Sequence, residues 1–441
     1  MRLKHIAAVL LFSVIVYGQT EYTLEMCREI AAENNLELKM KEIDLKSYED
    51  KVSQAYANLF PTVSLQTGAG YILEPETSSS ILADTTYLEG SGVGMAVIYE
   101  NPDYGFQHSL QIQQILFSAQ AFQGVKLAKS QRQVEQLNRD LLERQIRADV
   151  ENAFYNILIT DKVVDISQKS YDQSKGHLDI VRKKYEQGQV SEFEVIRSEV
   201  ETKNSLSSLD KAKLGHRMAR MYMFFLLNKE FDPTAIFAGD FRGPVTLPEL
   251  EEALEIATQN RLELKVMNST LDVFKGLVNL QRANYLPNLV FLGNFDHFFG
   301  SDDFGDIFAF EDFGKDYQLA LGLQWTLFNG LARKNNVDEA KSNYRRMLLQ
   351  NEQVISGIEM EIRQLYWQLQ QYETDYRTAL SSLDMAKKLL EIANVQYDEG
   401  LITFVEFNDA KLAHDATQLS YYQSLYNYNT ALTNFLKGIG R

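Results

Sequence analysis

Residues Ile30-Ala31-Ala32-Glu33-Asn34-Asn35-Leu36-Glu37-Leu38-Lys39 return as Ile256-Ala257-Thr258-Gln259-Asn260-Arg261-Leu262-Glu263-Leu264-Lys265, 226 positions later. At the same offset Ala57-Asn58-x-x-Pro61 returns as Ala283-Asn284-x-x-Pro287, and Leu24 as Leu250. A fixed-offset match across about forty positions marks an internally duplicated building block, since shared helix composition alone would not keep register. Each copy runs from a helical pattern into a stretch of alternating hydrophobicity. The block therefore sets the fold class.

The alternating stretches have the period of two that belongs to strands. After Pro287, Leu289, Phe291, Phe295 and Phe299 alternate with Val290, Leu292, Asn294 and Asp296. The returning strand carries Tyr317, Leu319, Leu321, Leu323, Trp325 and Leu327 on one face, and Gln318, Ala320, Gly322, Gln324 and Thr326 on the other. In the first copy Val63, Leu65, Ala69 and Tyr71 oppose Thr62, Ser64, Gln66 and Gly70, while Phe106, Leu110, Ile112 and Leu116 oppose Gln107, Gln111 and Gln113. Strands of about ten residues, apolar on one face and polar on the other, suit a barrel crossing an outer membrane. The aromatic residues Phe298, Phe299, Tyr317, Trp325 and Phe328 fall near strand ends, where interfacial girdles sit. The alternation by itself also fits a half-buried sheet in a soluble domain.

The rest of each copy is helical. All seven prolines lie at 61, 75, 102, 233, 244, 248 and 287, which leaves 103–232 and 288–441 free for long uninterrupted helices. From Ala119 to Glu186 there is room for a helix of about 100 Å at 1.5 Å per residue. In the second copy Ile358, Ile362, Leu365, Leu369, Tyr372, Tyr376, Ala379, Leu383, Ala386, Leu390, Ala393 and Tyr397 alternate spacings of four and three, a heptad seam. The first copy shows it more loosely in Val150, Phe154, Ile157, Val164, Tyr171, Leu178 and Tyr185. Both long helices stop at one signal: Tyr185-Glu186-Gln187-Gly188-Gln189-Val190-Ser191 matches Tyr397-Asp398-Glu399-Gly400-Leu401-Ile402-Thr403. Glycine ends a helix in the left-handed conformation. Ser191 and Thr403 then open the next helix as N-caps, with Glu194 and Glu406 three residues on as capping boxes. Along the last helix Val405, Leu412, Leu419 and Tyr426 form one stripe, beside Ala410, Ala413 and Ala416. A helix that packs on two sides suits a closed ring of helices.

These signals divide the chain into a signal peptide, 1–18; a first repeat, 19–231, with a β-hairpin at about 61–118 and a helical tip at about 188; a linker, 232–248; and a second repeat, 249–441, with a β-hairpin at about 287–328 and a tip at about 400. Arg2 and Lys4 precede an apolar run from Ile6 to Val16, too short to span a bilayer, which reads as a secretory signal; a buried N-terminal helix is the alternative. The chain is acidic, with 60 Asp and Glu against 44 Lys and Arg, which argues against nucleic acid as a partner. Cys27 is the only cysteine, so no disulfide framework is expected; it reads as a small buried residue, matched by Ala253 in the second copy. The histidines at 108, 177, 216, 297 and 414 are scattered, and no nucleophile, phosphate-loop or metal-ligand pattern accompanies them. No catalysis, cofactor or metal is indicated.

Four strands cannot close a barrel, since single-chain barrels need about eight. Open strand edges are not tolerated in lipid, so strands that cross a membrane must be pooled by several chains. The repeat openings at Leu24 and Leu250, the Asn-x-x-Pro before each hairpin and the Gly-x-x-[Ser/Thr] tips resemble the TolC-like outer-membrane efflux proteins, over essentially the whole mature chain. That resemblance implies a mainly α fold with a membrane β-barrel portion: a homotrimer with a twelve-stranded barrel in outer-membrane lipid above a coiled-coil α-barrel in the periplasm. It implies an exit duct for a tripartite efflux or type I secretion system, with a periplasmic adaptor and an inner-membrane pump as partners. By the same resemblance the tips Gly188, Gln189, Val190, Ser191 and Gly400, Leu401, Ile402, Thr403 meet the adaptor. Glu406 and Asp409 line the closed periplasmic entrance, six carboxylates in three chains, where close like charges repel and attract cations. The first-repeat equivalents are Glu194 and Arg197, the latter of opposite charge and free to pair with a carboxylate across the tip. Thr403 falls near the place of a gate-locking arginine in the family, and Tyr397 near that of a tyrosine.

Two other classes remain on the sequence. One is a structural or adhesive trimeric coiled-coil envelope protein without transport; the other is a soluble periplasmic binding module. The loops 73–104 and 300–315 read as acidic, solvated segments, the second carrying Asp302, Asp303, Asp306, Glu311 and Asp312. Nothing in the residues selects a cargo among drugs, metal ions and polypeptides.

Overall fold

The computed structural model describes residues 21–71, 78–80, 97–99, 104–301, 303, 305 and 314–441. The expected signal peptide lies outside them, as do Asp302, Asp306, Glu311 and Asp312. Of that loop Asp303 is described, its Oδ1 accepting from the Gly305 amide at 2.8 Å. In the other loop Ser78–Ser80 and Val97–Tyr99 pair antiparallel.

The fold is mainly helical. In chain order the elements are β1 (Glu21–Tyr22), α1 (Leu24–Asn34), α2 (Leu36–Ala57), β2 (Thr62–Tyr71), β3 (Ser78–Ser80), β4 (Val97–Tyr99), β5 (Tyr104–Phe117), α3 (Ala119–Glu186) and α4 (Glu192–Leu226). They continue as β6 (Ile236–Phe237), α5 (Leu250–Asn260), α6 (Leu262–Ala283), β7 (Asn288–Ser301), β8 (Gly314–Gln324), α7 (Ala332–Asp398) and α8 (Phe404–Gly438). Helices of 11, 22, 68 and 35 residues in the first half answer helices of 11, 22, 67 and 35 in the second. None is long and apolar enough to cross a membrane among the described residues.

Two compact units divide the chain. The first comprises Gln136–Met267, Asn351–Arg441 and the described residues up to Asp44. It holds two apolar clusters built alike. Cys27 and Ala31 of α1 lie in one with Val150, Phe154 and Ile157 of α3 and Met223 of α4. Ala253 and Ala257 of α5 lie in the other with Ile362 and Leu369 of α7 and Phe435 of α8. Small side chains at these positions let α1 and α5 approach the long helices closely. Burial pushes the Cys27 thiol up to about 12, so it remains an inert small apolar group. The heptad seam of α7 faces inward along its whole length, every one of its residues buried or half-buried. The α8 stripe Val405, Leu412 and Leu419 is exposed in the single chain.

The 232–248 segment lies strapped to this unit. β6 pairs parallel with β1, and Tyr22 stacks on Phe237 with ring centroids 5.4 Å apart. Asn429 exchanges two hydrogen bonds with the Arg242 backbone, at 2.9 and 3.1 Å, and the Tyr428 hydroxyl accepts from the Val245 amide. Position 35 of the first repeat and 261 of the second solve one problem differently. The Asn35 side chain accepts from Glu37 N at 2.9 Å to start α2, whereas Arg261, 5% exposed, grips Glu263 and Glu361 at 3.0 and 2.6 Å.

The second unit comprises Leu45–Glu135 and Asn268–Gln350. Its sheet runs β2-β5-β7-β8, antiparallel throughout, with β2 and β8 as open edges. The register places Leu65, Leu110, Phe295 and Tyr317 in one cross-strand row, and Ser64, Gln111, Asn294 and Gln318 in the next. One face is thus apolar and the other polar. Tyr317, Leu319, Leu321 and Leu323 are 58–69% exposed on the apolar face. Two details differ from the sequence reading. A bulge between Ile115 and Phe117 interrupts the alternation, leaving Leu116 outside the ladder. β8 ends at Gln324, so Trp325 and Leu327 lie beyond the strand. There the Trp325 indole donates to Tyr285 O at 3.0 Å, and Arg333 donates to Asn284 O at 3.0 Å. The Asn-x-x-Pro segment is therefore anchored through its carbonyls.

Ile362 is fully buried in the α7 seam. Ile362→Ala is expected to cost about 2–5 kcal/mol by transfer and cavity terms, read as a lowered midpoint in thermal or denaturant unfolding.

Candidate functional site

The two hairpin tips close by the same backbone device. Gly188 and Gly400 sit at φ +73° and +74°. Gly188 N donates to Tyr185 O and Gln189 N to Lys184 O, each at 2.8 Å; Gly400 N and Leu401 N do the same to Tyr397 O and Gln396 O at 3.0 and 2.8 Å. Both are Schellman closures, which need the left-handed residue that glycine supplies without strain.

The tips then diverge. Thr403 Oγ1 accepts from Glu406 N at 3.3 Å while Glu406 Oε2 accepts from Thr403 N at 2.8 Å, a complete capping box. Ser191 occupies the N-cap of α4 but makes no side-chain cap bond, and the expected first box is absent: only the backbone bond Glu194 N to Ser191 O closes that turn. Glu194 instead faces Arg197 at 4.0 Å on the same helix. Arg197 thus pairs within α4, not across the tip. The bridge that does cross this hairpin runs from Arg182 to Glu199, at 2.7 Å. As exposed pairs these contribute little.

Glu406 and Asp409 lie one turn apart at the start of α8, both exposed. The Thr403 amide and hydroxyl hold the Glu406 carboxyl below the usual carboxylate range. It therefore stays ionised at neutral pH and complements the positive end of α8. Behind these carboxylates is an aromatic cluster that the sequence reading missed, apart from Tyr397. Tyr397 stacks on Phe407 at 4.9 Å, Phe404 lies against both, and the His177 ring of α3 stacks on Phe404 with an interplanar angle of 1°. Lys411, 6% exposed, lies one helical turn inward from the carboxylates. Burial first, and then Lys184, Arg197 and Lys411, push His177 down to about 4. A neutral imidazole can stack; a charged one there would face three cations. The only sequence sign of this cluster was a lone histidine opposite a Phe-x-x-Phe start, which has no distinctive spacing.

Paired helical hairpins, tight glycine tips and an inserted amphipathic sheet define an outer-membrane channel fold. The sequence matches the family model of the outer membrane efflux proteins over residues 28–214 and 253–441, and the chain belongs to that family. Solved structures of similar fold include the CusC channel (14% identity, TM-score 0.74, covering 95% of this chain and 92% of that one). The CmeC outer membrane channel of Campylobacter jejuni matches at 16% identity and TM-score 0.74, over 95% of this chain and 85% of that one. VceC of Vibrio cholerae matches at 14% and 0.72, over 95% and 96%. At such identities the likeness carries the fold. No curated protein matches the chain by sequence.

Two predictions follow from the tips. Thr403→Ala should cost about 1 kcal/mol through the lost cap, and Ser191→Ala much less, measured by unfolding of each variant. A His177 pKa below the ordinary value of about 6.5 means stability is fully present above that pH and falls as pH drops towards 4. The thermal midpoint of the wild type should therefore fall more between pH 7 and 4.5 than that of His177→Phe, which keeps the stack without the titration.

Proposed function

We propose that three copies of this chain close a twelve-stranded barrel in the outer membrane and continue it as a periplasmic tunnel of helices. In this reading the chain is the exit duct of a tripartite efflux or type I secretion system. The observation that carries it is the four-stranded sheet with two open edges and an exposed leucine-rich face. Such a face suits lipid, and such edges require partner strands there. Three chains supply twelve strands; two would supply eight, a number whose barrel interior is filled by side chains. The exposed α8 stripe Val405, Leu412 and Leu419 offers a seam to a neighbouring copy. The matched helix lengths support two repeats, 19–231 and 249–441, joined by 232–248 behind an exported leader, 1–18.

In the trimer Glu406 and Asp409 of each copy line the entrance, and the segments 188–191 and 400–403 dock a periplasmic adaptor coupled to an inner-membrane pump. Glu194 with Arg197 is charge-neutral, so the field at the entrance comes from the second repeat. Planar-bilayer recording tests the reading. The wild type should conduct with a preference for cations, and Glu406→Gln/Asp409→Asn should lower that preference without abolishing conductance. A cross-linked mass other than three chains, or no conductance from wild type and gate variants alike, would favour a structural envelope protein instead.

A further inference from the structure

In the first unit, α1, α3, α8, Leu262 at the start of α6, the Arg242 segment and Arg441 line a half-open cavity of about 580 Å³, within the range of small-ligand sites. Its charge is unbalanced. Arg28, Arg144, Arg147, Arg242, Lys437 and Arg441 line it, against Asp140, Glu143 and Glu151. The carboxylates are already engaged. Glu151, 5% exposed, is bridged by Arg28 and by Arg242 at 3.2 Å and accepts from the Tyr155 hydroxyl. Glu143 takes Arg147 at 2.7 Å and Arg139 at 2.5 Å, and Arg139 also reaches Asp140. Glu263, outside the lining, feels the Arg144 charge but is bridged by Arg261 at 3.0 Å. The guanidiniums of Arg144 and Arg441 make no ion pair among the described residues. Lys437 Nζ donates only to the neutral amide of Gln145, at 2.8 Å.

A second observation is independent of charge. Thr433, 4% exposed, lines the cavity, and its Oγ1 is buried without a hydrogen-bond partner. The Nε of Arg28 is likewise buried and unpartnered. Orphaned buried donors are destabilising unless a partner enters the site. A hydroxyl donor, guanidinium forks and a net positive lining together match an oxyanion.

We infer that this cavity binds a phosphate-bearing anion, Arg144 and Arg441 clamping its oxygens and Thr433 donating to one of them. Two sources share that chemistry: a soluble polyvalent phosphate and the phosphodiester of an anionic lipid headgroup. Calorimetric titration of the detergent-solubilised full-length protein distinguishes them, with pyrophosphate in one arm and short-chain dihexanoyl-phosphatidylglycerol in the other. Saturable, salt-sensitive binding of one ligand per chain is expected, tighter for the more highly charged pyrophosphate because the lining is net positive. Arg144→Gln/Arg441→Gln should weaken it at least about tenfold, and Thr433→Val should weaken it without altering the fold. Bound ligand should raise the unfolding midpoint of the wild type but not that of the double variant. Tighter binding of the lipid identifies a headgroup site. No saturable binding of either ligand, or equal affinity in wild type and both variants, overturns the inference.

Discussion

Every backbone N–H and C=O that enters hydrocarbon must find a partner, because water is absent there and each orphan costs several kcal/mol. A four-stranded sheet satisfies its inner ladders and leaves two edges. Here those edges are β2 and β8. The alternation of Leu319, Leu321 and Leu323 with Gln318, Ala320 and Gly322 gives the sheet one apolar and one polar face. Nothing among the described residues closes it. The proposed threefold assembly would answer that backbone need before any interface affinity, and the exposed α8 stripe would reinforce it.

The helices of the first unit show the same economy. Each repeat places one short helix, α1 or α5, against its long pair, and at the contact the residues are small: Cys27 and Ala31, Ala253 and Ala257. Identity at these positions is fixed by volume, so a thiol and a methyl are interchangeable. Away from the contact the repeats are free to differ, and they do so electrostatically. Asn35 caps with a neutral amide where Arg261 holds two carboxylates; Ser191 leaves its cap unused where Thr403 locks Glu406. The copies share packing and divide the charges.

Features governed by periodicity were legible in the sequence. The α7 heptads, the Ala119–Glu186 helix and both glycine tips follow from short-range rules and stand where those rules put them; the strand faces do so except at Leu116, Trp325 and Leu327. Less legible were the details set by one residue's choice between partners. Ser191 and Thr403 have the same sequence context, yet only one closes its box. Arg197 had a carboxylate three residues away on its own helix, and that nearer partner won over one across the tip. The bulge at Ile115 and Phe117 gives no composition signal within an otherwise regular strand. The His177 stack and the basic cavity are assembled from elements hundreds of residues apart, so no local window contains them.

The strap between the repeats has a kinetic meaning. Tyr22, Arg242 and Asn429 belong to the first strand, the joining segment and the last helix, yet β1 pairs with β6 and Asn429 grips the Arg242 backbone. These are contacts of high sequence separation, which form later than the local helical ones. The β1–β6 half of the strap can form without α8, whereas the Arg242–Asn429 half cannot. α8 is thus the element that completes the strap.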